Sequence, residues 1–84
     1  MIYQVELSPS AKKQLRKLSA DIRERILVKL EDLAQNPRPD GVKKLESESL
    51  YRVRVGSYRI IYEIKDDVLL VTIVRVGHRR DVYK

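Results

Sequence analysis

LYRVRVGSYRIIYEIKDDVLLVTIVRVGHRRDVYK, residues 50–84, decides the fold, because it reads as three consecutive strands followed by a short basic tail. Tyr51, Val53 and Val55 alternate with Arg52 and Arg54, the period of a half-buried strand. Gly56 and Ser57 then supply a two-residue turn of the kind that closes a hairpin. With that turn as the whole loop, Val55 pairs with Tyr58, Arg54 with Arg59, Val53 with Ile60 and Tyr51 with Tyr62. Apolar residues then coincide on one face and arginines on the other. Asp66 and Asp67 make the next turn, and counting outward from them sets Val71 against Tyr62 and Ile73 against Ile60. The third strand runs on to Val76 inside the sheet. Beyond it Gly77, His78, Arg79, Arg80, Asp81, Val82 and Tyr83 are expected to emerge close to the arginine face.

Upstream of this run, Tyr3, Val5 and Leu7 alternate with Gln4 and Glu6 as a short strand leading into Ser8-Pro9. That pair starts a helix, with Ser8 placed to cap free backbone N–H groups and Pro9 suited to the first helical position. Ala11, Leu15 and Leu18 follow at helical spacing, with Lys12, Lys13, Arg16 and Lys17 on the outer surface. Ser19 caps a second helix whose buried stripe is Ile22, Ile26, Leu30 and Leu33, widened by Leu27 and Ala34, and Asn36-Pro37 ends it. Residues 37–49 read as a loop with Leu45 as its one apolar anchor. The resulting fold is α+β, of order β-α-α-β-β-β: a two-helix hairpin packed on one face of a small, mainly antiparallel, four-stranded sheet. The opposite face is left for work.

At 84 residues the chain is expected to form a single domain, 1–84. It has no cysteine, which excludes a disulfide scaffold and a thiolate metal site and is compatible with a reducing cytoplasm. The N-terminus lacks the basic start and apolar run of a signal peptide, and no apolar segment approaches membrane-spanning length, so a soluble, cytoplasmic protein is expected. The net charge is +6 and unevenly placed. Residues 1–49 carry ten basic and eight acidic side chains, a net +2, and residues 50–84 carry eight and four, a net +4. Positive potential is thus densest where the arginines cluster, which fits a polyanionic partner.

No metal-ligand spacing is present, and Gly41, Gly56 and Gly77 do not form a phosphate-cradling loop, so neither metal nor cofactor is expected. What remains is a basic set, Arg52, Arg54, Arg59, His78 and Arg79, with Tyr83. Such a set suits metal-free RNA cleavage, in which a ribose 2′-hydroxyl attacks the adjacent phosphate. Guanidiniums stabilise the added charge, one group takes the 2′-proton, one protonates the leaving oxygen and an aromatic ring holds a base. His78 is the side chain whose ordinary pKa lies near neutrality. A solvated face is the commoner meaning of alternating arginines, and a lone histidine is more often a surface residue than a catalyst. Like charges placed directly opposite each other on a sheet are destabilising, and the Arg54–Arg59 pairing together with the GHRRDVY tail sets the anion site against that plainer reading.

LYRVRVGSYRIIYEI and the strand ending in VRVGHRRDVYK resemble the RelE branch of the RelE/ParE superfamily, toxins of type II toxin–antitoxin modules. The likeness runs through the Ser-Pro start of the first helix and the Asn-Pro end of the second. It implies a protein that enters the ribosomal A site, lies against 16S rRNA and cleaves mRNA there, and that a cognate RelB-like antitoxin silences. By the same resemblance Arg52 and Arg54 match basic residues around the 2′-hydroxyl, commonly lysines. Arg59 matches the arginine on the scissile phosphate, Arg79 the general acid or leaving-group stabiliser, and Tyr83 the tyrosine that orients the codon; His78 is the neighbour of Arg79. Arginine keeps its proton to a pKa above about 12, which leaves the base open between His78 and a ribosome-supplied group. A ParE-like, gyrase-inhibiting toxin of the same fold, without nuclease activity, is the alternative. An inactive member that only binds antitoxin or RNA is a third.

Overall fold

The computed structural model of the chain describes residues 2–45 and 49–78. Strand β1 (Gln4–Leu7) leads into helix α1 (Pro9–Arg16), followed by α2 (Ala20–Gln35), β2 (Lys43–Lys44), β3 (Leu50–Val55), β4 (Tyr58–Lys65) and β5 (Leu70–His78). The strands form one sheet in the order β1-β5-β4-β3-β2, with β1 parallel to β5 and every other pair antiparallel. The α+β class and the helix pair on one sheet face are as the sequence predicts. The sheet has five strands rather than four, because Lys43 and Lys44, expected in a loop, pair with Arg52 and Tyr51. Two residues are too few to show a period, so composition alone read them as loop.

Both helices start where the sequence places them. Ser8 Oγ accepts the Ala11 N–H at 3.1 Å, and Pro9 opens α1. Ser19 takes the matching position before α2, but its hydroxyl makes no capping bond. Ala11 and Leu15 of α1 and Ile26, Leu30 and Leu33 of α2 are buried against Val53, Ile60, Tyr62, Val71, Ile73 and Val76 of the sheet. Burial of side chains such as these contributes about 1.5–3 kcal/mol each. Leu27 is 43% exposed and does not widen the stripe as expected; it lies one residue beyond Ile26, about 100° around the helix.

The β3–β4 hairpin has the register read from the sequence: Val55 opposite Tyr58, Arg54 opposite Arg59, Val53 opposite Ile60, Tyr51 opposite Tyr62. Gly56 takes φ +59°, and Leu69 is the one described non-glycine residue with positive φ, so the turn has the type II′ pattern. The β4–β5 register differs from the expected one. Asp66–Val68 form a 3-10 turn that Leu69 closes at φ 52°, so Lys65 pairs with Leu70 and Tyr62 with Ile73. A bulge follows: Tyr62 pairs with Ile73 but Ile61 pairs with Arg75, leaving Val74 as the extra residue. Ser8 holds it from the neighbouring strand end, its N–H donating to the Ile73 carbonyl at 2.9 Å and its hydroxyl to the Val74 carbonyl at 2.9 Å.

At the end of the sheet away from the hairpin tip, a polar cluster ties the α2–β2 connection to the β4–β5 turn. Arg38 donates two hydrogen bonds to the Asp66 carboxylate, at 3.1 and 2.8 Å, and lies 5.3 Å from the centre of the Tyr51 ring. Tyr3 donates its hydroxyl proton to Asp66 at 2.5 Å. Tyr62, fully buried and stacked with Tyr51, donates to the Pro37 carbonyl at 2.6 Å. The Arg38 guanidinium, with Tyr3, holds the Asp66 carboxyl down at about 2, and burial pushes the Tyr62 phenol up.

Candidate nucleic-acid interface

Because side chains alternate along a strand, the sheet face away from the helices carries Arg52 and Arg54 of β3 and Arg59, Ile61 and Glu63 of β4. The bulge shifts the parity of β5. Val71 and Ile73 face the core, and after the extra residue Val76 does so again, so Arg75 and Gly77 join the open face. Two rows of directly opposed residues result. One is Arg54–Arg59–Gly77, and the other is Lys43–Arg52–Ile61–Arg75. Ile61 is only 5% exposed although neither α1 nor α2 packs on this face. The long stems of Arg52 and Arg75, its partners on either side, supply apolar surface next to it.

The same parity shift moves His78 away from the arginines. It pairs with Tyr58, whose ring packs against the core, and the two rings meet edge to face with centres 5.5 Å apart. Together with Gln14 of α1, Lys17 and Leu18 just beyond it, and Arg75, Val76 and Gly77 of β5, they line a cleft of about 240 Å³ at the β5 edge of the sheet. Gln14 also closes the sheet here, its Oε1 accepting the Val76 N–H at 2.8 Å beyond the end of β1. The expectation that His78 emerges beside the arginines is therefore corrected: it sits at the same end of the sheet but on the other side. Arg79 and Tyr83 lie outside the described residues.

Of the basic set read from the sequence, the structure brings Arg52, Arg54 and Arg59 together on one face. It adds three residues that sequence reasoning missed. Arg75 was legible in principle, since the apolar doublet Ile73-Val74 breaks the alternation just before it. Lys43 had no local signal. Nor did Arg25, a surface residue of α2 whose guanidinium lies against the hairpin turn, so that a β-carbon on Gly56 would sit 3.5 Å from its Nη2. Among the described residues no three of His, Asp and Glu come together as metal ligands, and no helix is long and apolar enough to cross a membrane.

A layer of guanidiniums on one sheet face has the chemistry to bind phosphate. The chain is also similar to proteins of known family. The family model described as the ParE toxin of the type II toxin–antitoxin system, parDE, matches residues 5–83. The mRNA interferase toxin RelE of Escherichia coli (strain K12) is 30% identical, over 94% of this chain and 85% of that protein. Toxin RelG of Mycobacterium tuberculosis is 34% identical, over 100% of this chain and 99% of that one. In the crystal structure of the toxin–antitoxin complex RelBE2 from Mycobacterium tuberculosis, a chain 32% identical superimposes with a TM-score of 0.86, covering 96% of this chain and 95% of its own. On the match to the family model and the agreement of fold and sequence with these toxins, the chain belongs to the RelE/ParE superfamily of type II toxin–antitoxin toxins.

Proposed function

We propose that the protein is a ribosome-dependent endoribonuclease toxin that cleaves mRNA in the A site by attack of a ribose 2′-hydroxyl on the adjacent phosphate. The observation that carries this reading is the pairing of Arg54 with Arg59 directly across the hairpin, with Arg52 one step along the same face. Guanidiniums placed there stabilise the charge that grows on phosphorus. The name of the Escherichia coli relative, an mRNA interferase, supports the same chemistry.

In the step itself the 2′-hydroxyl loses its proton and forms an O–P bond, the P–O bond to the next nucleotide breaks, and the departing 5′-oxygen takes up a proton. A 2′,3′-cyclic phosphate and a 5′-hydroxyl result. Arg59 holds the scissile phosphate and Arg52 and Arg54 surround the attacking hydroxyl. By resemblance Arg79 serves the leaving oxygen and Tyr83 orients the codon. Arginine retains its proton at any physiological pH and cannot accept another. With the His78 ring against Tyr58 on the helix side, we assign the proton acceptor to the ribosome. That assignment accounts for a toxin that needs its target to complete its chemistry. A RelB-like antitoxin is the partner that keeps the toxin silent in the cytoplasm, in keeping with the RelBE2 complex that the chain resembles.

The test is purified protein added to programmed ribosomes carrying a defined mRNA with an empty A site, with free mRNA alongside and new RNA ends mapped. Cuts confined to the A-site codon are expected. A ParE-like toxin that inhibits DNA gyrase is the second reading, favoured by the name of the matching family model. Folded protein that leaves both RNAs intact and blocks gyrase supercoiling would establish that one instead.

A further inference from the structure

The open face is not uniformly basic. Two residues further along the strands from Arg52 and Ile61 comes a third row, Leu50–Glu63–Thr72–Glu6. It carries two carboxylates, one of them 3.8 Å from Lys65. The face is thus divided across the strands: two rows with five cations near the hairpin tip, Arg54 and Arg59 in one and Lys43, Arg52 and Arg75 in the other, and an acidic row beyond them. A polyanion laid along the strands would run from arginine into Glu63 and Glu6. Laid across them, it meets cations from β2 to β5. Strands lie about 4.8 Å apart, so Lys43 to Arg75 spans about 14 Å, more than one phosphate group can use. Between Arg52 and Arg75 the row holds Ile61, which is buried, so the flanking cations are what this row offers a ligand.

We infer that a single-stranded RNA crosses this face transverse to the strands, and that Arg75 and Lys43 bind its phosphates on either side of the Arg52, Arg54 and Arg59 cluster. This rests on the reading of the cluster as an RNA site, and it adds to that reading a direction for the chain and two phosphate-binding residues outside the expected set. The β5 bulge is what makes Arg75 available, since without Val74 the parity of β5 would turn that residue toward the helices.

The experiment measures fluorescence anisotropy of a labelled hexanucleotide RNA, 2′-O-methylated throughout so that it cannot be cut, across a salt series and without ribosomes. Each phosphate contact on a single strand contributes about 0.7 to the slope of log affinity against log salt. Arg75→Met and Lys43→Met, which keep an aliphatic stem and remove the charge, are each expected to lower the slope by about 0.7 and to weaken binding severalfold. Arg75→Lys should restore the slope, separating charge from packing should Arg75→Met fold poorly. Glu63→Gln should leave the slope unchanged. Wild-type slopes in both methionine variants, or no binding by the wild-type protein at low salt, would overturn the inference. Because no cleavage is measured, a protein inert on ribosomes can still show the track. A protein that cuts on ribosomes yet binds the oligonucleotide equally well in both methionine variants refutes the track alone.

Discussion

Replacing Ser8 with alanine removes two interactions that meet at one oxygen. Its Oγ accepts the Ala11 N–H at the start of α1 and donates its proton to the carbonyl of Val74, the extra residue of the β5 bulge. Loss of a serine N-cap costs about 1 kcal/mol, within a range of about 0.5–2. Loss of a part-buried hydrogen bond that leaves a carbonyl unpaired costs about 1 kcal/mol more. The sum is about 2 kcal/mol, and in a domain this short each kcal/mol lowers the melting temperature by about 4–8 °C. A fall of about 8–16 °C is expected in a thermal melt followed by circular dichroism. Ser19→Ala is the internal comparison. Its hydroxyl occupies the same position before α2 without a capping bond, and the variant should melt within about 4 °C of wild type. If the two variants melted together, Ser8 would not be the pin of the bulge.

Three other outcomes are expected. Arg59→Ala and Arg79→Ala should each slow cleavage on programmed ribosomes by about two to three orders of magnitude, the scale of losing one charge-stabilising donor, and Arg59→Ala should melt close to wild type; a large drop in its melting temperature would make Arg59 structural. His78→Gln should leave both the cleavage rate and its pH profile unchanged, since the ring packs on Tyr58; a shifted pH profile would return His78 to the chemistry. Asp66 has its carboxyl held at about 2 against an ordinary 3.8, so its protonation is disfavoured by folding. Its contribution is full above about pH 4 and disappears as the pH falls toward 2. In urea titrations the wild type should therefore lose more stability than Asp66→Asn between those pH values, and equal losses would count against the Arg38 and Tyr3 bonds as the cause.

The hairpin that carries the arginines was legible residue by residue, because a strict period of two and a glycine turn leave one register that buries Val53, Ile60 and Tyr62 together. The Ser8-Pro9 helix start and the Ile26, Leu30, Leu33 stripe were legible for the same kind of reason: their signals are local. β2 was not, since Lys43 and Lys44 are held by the partner strand and not by any pattern of their own. The β4–β5 register was missed because Leu69, with no sequence mark of a positive φ, lengthens the turn. The facing of Arg75 and His78 was missed because it depends on a hydrogen bond from Ser8, 66 residues away from Val74 in the chain. Nonlocal contacts of that kind set which side chains share a face, and a one-dimensional pattern carries only their echo in the Ile73-Val74 doublet.

The bulge also sets what changes in chain length β5 can tolerate. Deleting Val74 would turn Arg75 inward to the helix side and expose Val76, exchanging charge and apolar surface in one event, with a buried guanidinium as the penalty. Removing two residues would keep parity but take the strand end away from the Gln14 side chain that closes it. A change in the length of β5 therefore costs more than a substitution on its open face. The strand that aims the basic face can evolve by substitution while its length stays fixed.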